Sequence, residues 1–268
     1  MNRLLPVIIL LFTFHAQGQT PAEPTEKPFA PLEGTFALKV VTTGKIELPL
    51  VGEKTPQGHI LFLLTREWNA DKGYYNRKAR MCNGTSGSIY GITTEVSQKC
   101  YQGIPPSHSV VQVDEKHENL TTKNEIFLWG MKNLPKPLTA KLPKNMTEAK
   151  SPAFRNIVYD VDKDGHPGIT LKAKGMISGE LHAVQRRVTQ FQGKALSPDR
   201  QVGRVHVVRE SIILQSDTYL VSEGPRSPAQ HPDPTRSWFE AIRVEQQSTC
   251  KTVLKLHQKN AFSKTSPL

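Results

Sequence analysis

From Gly34 onward the apolar residues of this chain recur at every second position, and hardly anywhere at every third or fourth. Phe36, Leu38 and Val40 alternate with Ala37 and Lys39, Ile46, Leu48 and Leu50 with Lys45 and Glu47, and Ile169, Leu171 and Ala173 with Thr170, Lys172 and Lys174. A period of two sends successive side chains to opposite faces of an extended backbone, so each run reads as a half-buried strand. Residues 59–64, 74–81, 88–96, 110–113, 125–131, 156–159, 205–214 and 238–246 add further β-prone segments, divided by Gly, Asn and Pro turns. The residues from Lys251 suit one closing strand or a short helix. Many short strands without intervening helices predict an all-β fold, an antiparallel β-barrel of lipocalin-like or related kind, with a β-sandwich or two small β subdomains as alternatives. A barrel leaves no open edge, and a wide one encloses a ligand.

The first residues have another character. Met1-Asn2-Arg3 gives a cationic start, residues 4–14 are almost wholly apolar, and Ala16-Gln17-Gly18 offers small residues to a signal peptidase. Residues 1–18 are therefore expected to be a signal peptide and 19–32 a Pro-rich linker. Residues 33–258 form one β-rich domain, with a possible division at the Pro/Lys-rich loop 132–152, and 259–268 a flexible tail. The product is expected to be secreted or periplasmic. No later run is long enough for a membrane-spanning helix, and the Lys/Arg-rich strands lack the aromatic girdles of a membrane barrel.

Lys and Arg number 35 against 24 Asp and Glu, a net charge of +11. The excess is spread over Arg77, Lys78, Arg80, Lys132, Lys136, Lys141, Lys144, Arg186, Arg187, Lys251, Lys255 and Lys259. Such a field favours anionic surfaces, although the same charge also serves solubility alone. Without a basic helix or an aromatic-interleaved basic stripe, a specific nucleic-acid partner is not expected. Three cysteines, Cys82, Cys100 and Cys250, fit an oxidising compartment with one disulfide and one spare thiol. Cys82 and Cys100 are nearest in sequence, and Cys250 is an alternative partner for either.

One motif carries chemistry. Asp160-Val161-Asp162-Lys163-Asp164-Gly165-His166-Pro167-Gly168 places three carboxylates at alternate positions before a glycine, the pattern by which a tight loop turns oxygens onto one hard cation. The candidate ligands are Asp160, Asp162, Asp164 and the backbone carbonyl of His166, and the candidate ion is calcium. Position twelve of that register is Leu171 instead of a bidentate Glu, and strands flank the loop, so a helix-loop-helix hand is excluded. The competing reading is a turn whose aspartates bond backbone amides.

This motif, with Gly179-Glu180-Leu181, Val184-Gln185-Arg186, His231-Pro232-Asp233 and Ser237-Trp238-Phe239, resembles a pattern in uncharacterised secreted β-rich bacterial proteins. There, a strand ends in an Asp-rich DGxPG turn. The resemblance covers mainly the C-terminal half and implies secretion and a β fold, with no activity attached.

Signatures of common hydrolases are absent. Gly84-Thr85-Ser86-Gly87-Ser88 lacks the final glycine of a nucleophile elbow, and His117-Glu118 lacks a second helical histidine. Glu210 with Asp217, or Glu180 with Glu210, would form an acid/base pair only if the fold joined them. The residues thus point to a non-enzymatic binding protein for a small apolar ligand or an anionic cell-surface polymer. A calcium-stabilised envelope protein is the alternative, with a hydrolase behind it.

Overall fold

The computed structural model describes residues 32–48, 52–88, 91–175, 178–218, 221–226 and 228–268. The expected signal peptide and all of the linker but Leu32 lie outside them. Among the described residues, thirteen strands make one antiparallel sheet: β1 (Gly34–Leu48), β2 (Gly52–Lys54), β3 (Gln57–Asn69), β4 (Tyr74–Thr85), β5 (Thr93–Val96), β6 (Ser107–Val113), β7 (Asn119–Trp129), β8 (Ile169–Lys174), β9 (Gly179–Ser197), β10 (Arg200–Ser216), β11 (Gly224–Arg226), β12 (Ala229–Gln230) and β13 (Trp238–Val244). Three helices accompany them, α1 (Gln98–Gly103), α2 (Met146–Ala149) and α3 (Cys250–Gln258). The all-β expectation holds.

Eight strands close a ring in the order β10-β13-β1-β3-β4-β6-β7-β9, and the long β9–β10 hairpin joins its ends. Strands from before and after loop 132–152 pair directly, β7 with β9 and β1 with β13. Beyond the stretch of β9 that pairs with β7, β8 takes the same edge, and β5 extends it. The ring satisfies the backbone donors and acceptors of its members in one continuous ladder.

The two-residue period decides what lies inside. Phe36, Leu38 and Val40 of β1, Phe62 and Leu64 of β3, Tyr75, Ala79 and Met81 of β4, Phe127 of β7, Phe191 of β9 and Phe239 of β13 share one buried cluster. Each large apolar side chain removed from water contributes about 1.5–3 kcal/mol. Two smaller clusters lie on opposite-phase residues. Loop 132–152 is not a boundary between sheets: Leu134, Leu142 and Ala149 pack with Val184, Ile212 and Leu214 of β9 and β10. Val253 of α3 and Phe262 pack with Ala37, Leu61 and Cys82. Residues 259–268, read from the sequence as a tail, thus include a buried phenylalanine, and the Ser263 N–H donates to Glu240 at 2.6 Å.

The disulfide joins Cys82 to Cys250, and Cys100 is a buried free thiol. Proximity in sequence is therefore the wrong guide. Cys82 faces the cluster under α3, whereas Cys100 on α1 belongs to the ring's interior cluster. Closing a loop of 168 residues constrains the unfolded chain by about 5 kcal/mol in the loop-entropy model.

Two further expectations change. Residues 156–159 are a turn, with only an isolated bridge from Val158 to Met131. Phe154, Ile157 and Val158 are spaced as one helical turn and face the outer cluster together. Residues 224–236, whose four prolines suit an exposed loop by sequence, include β11, β12 and a 3₁₀ turn at Pro234–Arg236.

Candidate metal centre

The Asp-rich loop is pinched at its base. Tyr159 N–H donates to the Gly130 carbonyl at 3.1 Å, Gly168 N–H to Tyr159 at 2.9 Å and Val161 N–H to Gly168 at 3.1 Å. Within it, Lys163 (φ 59°) and Gly165 (φ 93°) take the left-handed backbone that a tight reversal needs. Gly168 (φ 102°) also lies so close to β9 that a Cβ would overlap the Ala183 carbonyl. Glycine is required there for both reasons.

The loop rests on α1. Ser97 caps that helix by accepting the Cys100 N–H at 3.1 Å, and its hydroxyl donates to Oδ2 of Asp162 at 3.3 Å. The Tyr159 hydroxyl donates to the Gly103 carbonyl at 2.9 Å, and burial pushes its pKa up to about 12.

Asp160, Asp162 and Asp164 converge as the motif predicts, each offering a carboxylate oxygen within 4.8 Å of the others. The group could hold a metal ion, and its all-oxygen donors suit a hard cation. Much of the loop also follows the competing turn chemistry. Asp160 accepts the N–H groups of Asp164 (3.2 Å) and Gly165 (2.8 Å), while Asp164 accepts the His166 N–H at 3.0 Å and the Thr170 hydroxyl. Asp162 differs. It is 6 % exposed, and its Oδ1 is buried with no hydrogen-bond partner. Burial, and then the Asp164 charge, raise its pKa. Burial also acts to raise Asp164, but hydrogen bonds from Thr170 and the His166 amide, together with the His182 and His166 charges, act against it, and the net direction is down.

The His166 ring lies outside the group of clustered donor atoms and stacks on His182 at 3.9 Å, nearly parallel. Thr170 links His182 Nδ1 (3.0 Å) to Asp164. Burial is the main reason that the His182 pKa is lowered. The Cys100 thiol, near the same aspartates, is pushed far up by burial and by Asp162 and Asp164 and is correspondingly unreactive.

The acid/base candidates do not assemble. Glu210 pairs with Arg186, Asp217 accepts the Glu180 N–H at 2.6 Å, and Glu180 pairs with Lys172 at 2.8 Å. Ser86 of the Gly/Ser-rich turn both donates to and accepts from the Thr94 backbone. Sequence reasoning missed a second polar centre. Arg77 and Arg187, grouped above with a spread surface charge, are 2 % exposed inside the ring, with Arg66 and Glu125 beside them. The available signal was phase: Arg77 shares the inward phase of Tyr75, Ala79 and Met81.

The chain matches no protein-family model and no curated protein.

Proposed function

We propose that this chain is a secreted or periplasmic, non-enzymatic β protein whose loop 160–168 binds calcium, the ion fastening the loop to α1 and to the start of β8. The observation that carries the reading is Asp162: a buried carboxylate with an unpartnered oxygen, beside two more carboxylates. A cation in that place offsets both its desolvation and its repulsion with Asp164. Asp160, Asp162, Asp164 and the His166 carbonyl would supply protein ligands, and water the remainder. With no bidentate Glu in register, the affinity belongs in the weak range of about 10⁻⁴–10⁻³ M seen in extracellular modules. The disulfide and the signal-like N-terminus support an oxidising, extracytoplasmic setting.

A partner is part of the reading as well. The +11 charge supports an anionic envelope polymer. The alternative of a small apolar ligand gains no support from an interior that contains several guanidiniums.

Isothermal titration of calcium into the mature chain tests the loop. One site with a sub-millimolar to millimolar dissociation constant is expected, weakened at least tenfold by Asp162→Asn. No binding by the unsubstituted chain at several millimolar calcium, or unchanged binding by the variant, overturns the assignment.

A further inference from the structure

Four arginines reach into the ring from four strands: Arg66 of β3, Arg77 of β4, Arg187 of β9 and Arg209 of β10. Arg66, Arg77 and Arg187 are 1–2 % exposed, and Arg209 is partly buried. The register makes the arrangement more demanding, because Arg66 lies directly opposite Arg77 and Arg187 directly opposite Arg209. Like charges facing across a ladder repel, the more so out of water.

Glu125 of β7, fully buried, is the carboxylate set among them. Its oxygens are already taken by Arg77 (3.1 Å) and by the hydroxyls of Ser107 (3.0 Å) and Ser109 (3.2 Å). Arg66 donates to the neutral amide of Gln201, and Arg187 to the Thr189 hydroxyl at 3.3 Å. Among the described residues no ion pair reaches Arg66, Arg187 or Arg209. Nε and Nη2 of Arg66, Nε of Arg77, Nη2 of Arg187 and Nε of Arg209 are buried without a hydrogen-bond partner, and so is the hydroxyl oxygen of Thr122. Burial pushes Arg66 and Arg187 down to about 9, which still leaves both cationic at neutral pH.

Among the described residues, four guanidiniums against one carboxylate leave three positive charges without an anionic partner, although Arg66 and Arg77 lie over the rings of Phe36 and Phe191, and the free donors sit on all four arginines and on Thr122. Native interiors pair such groups. A compact anion with several acceptor oxygens matches both the charge and the donor set, whereas a halide offers one charge and a single acceptor centre. We propose that the ring interior is a binding site for one small tetrahedral oxyanion of the phosphate or sulfate type, held by Arg66, Arg77, Arg187 and Arg209. The site stands independently of the calcium loop.

The test uses the mature chain unfolded in urea, freed of anions, refolded in a chloride buffer with chelator, and titrated with inorganic phosphate or sulfate against sodium chloride of equal ionic strength. The thermal midpoint is expected to rise saturably, by about 5–10 °C at a hundredfold excess over the dissociation constant. In Arg187→Met most of that rise is lost, while any general salting effect of the oxyanion stays. Ion chromatography of chain purified without refolding is expected to find close to one oxyanion per molecule. Should Arg187→Met not fold, Thr122→Val leaves the charges in place and is expected to show a smaller rise. Equal midpoints in oxyanion and chloride, with no bound oxyanion in the purified chain, overturn the proposal. So does an equal rise in Arg187→Met.

Discussion

Glu125 illustrates how much one side chain can carry in this fold. Its two oxygens hold Arg77 of β4 and two serines of β6 from a position on β7, so the contact ties three neighbouring strands at the ring's interior. Replacing it by Leu leaves Arg77 as an uncompensated buried charge, which costs about 3–5 kcal/mol. Urea unfolding of Glu125→Leu in chloride buffer is expected to show a loss of that size with an unchanged denaturant slope, whereas a loss under about 1 kcal/mol would mean that Arg77 is compensated elsewhere. In the sequence, Glu125 and its arginines were legible only in phase. An alternation rule assigns a charged residue to the wet face, and nothing in one sequence shows that Arg77 and Glu125 meet across 48 positions. The aspartates were legible because a tight loop is local: spacing alone brings Asp160, Asp162 and Asp164 together. That Oδ1 of Asp162 is unpartnered depends on its packing beside Ser97, 65 residues away, and was not legible.

Among the elements, α3 meets β3 through a pair of histidines that both have lowered pKa values. Its His257 lies 4.7 Å from His59 of β3, and the disulfide anchors its first turn to β4. Burial, then His257 and Lys39, hold His59 down to about 4, and burial and Lys39 lower His257 too. Both folded values lie below the unfolded one near 6.5, so the unfolded chain takes up these protons first. The stability they contribute is present above about pH 6.5 and is lost as pH falls towards 4. The thermal midpoint is therefore expected to drop from pH 7 to pH 4, and His59→Gln to flatten the drop; an identical pH profile in the variant would contradict the linkage. Strands such as Ile169–Lys174 were legible to the residue because they alternate cleanly. The six-residue α1 was not, being too short to establish a helical period, and residues 156–159 read as a strand only when the turn spacing of Phe154, Ile157 and Val158 is overlooked.

For the molecule as a whole, closure depends on pairings that no local pattern announces. The alternation predicts strands, but only the β9–β10 hairpin and its two outer neighbours, β7 and β13, turn the succession into a ring. The outer face is then covered twice, by the loop over β9 and β10 and by α3 with Phe262 over β1, β3 and β4. The Asp-rich loop joins α1 to β8 and β9 through Ser97, Thr170 and His182, so an ion bound there would stabilise the whole and not the loop alone. The most direct test is thermal unfolding of residues 19–268 in 5 mM calcium and in chelator, beside the Asp162→Asn, Asp164→Asn double variant. A midpoint several degrees higher with calcium is expected in the unsubstituted chain, and no difference in the variant. Equal midpoints in calcium and chelator for the unsubstituted chain would contradict it, and would leave residues 160–168 as a turn held by its own hydrogen bonds.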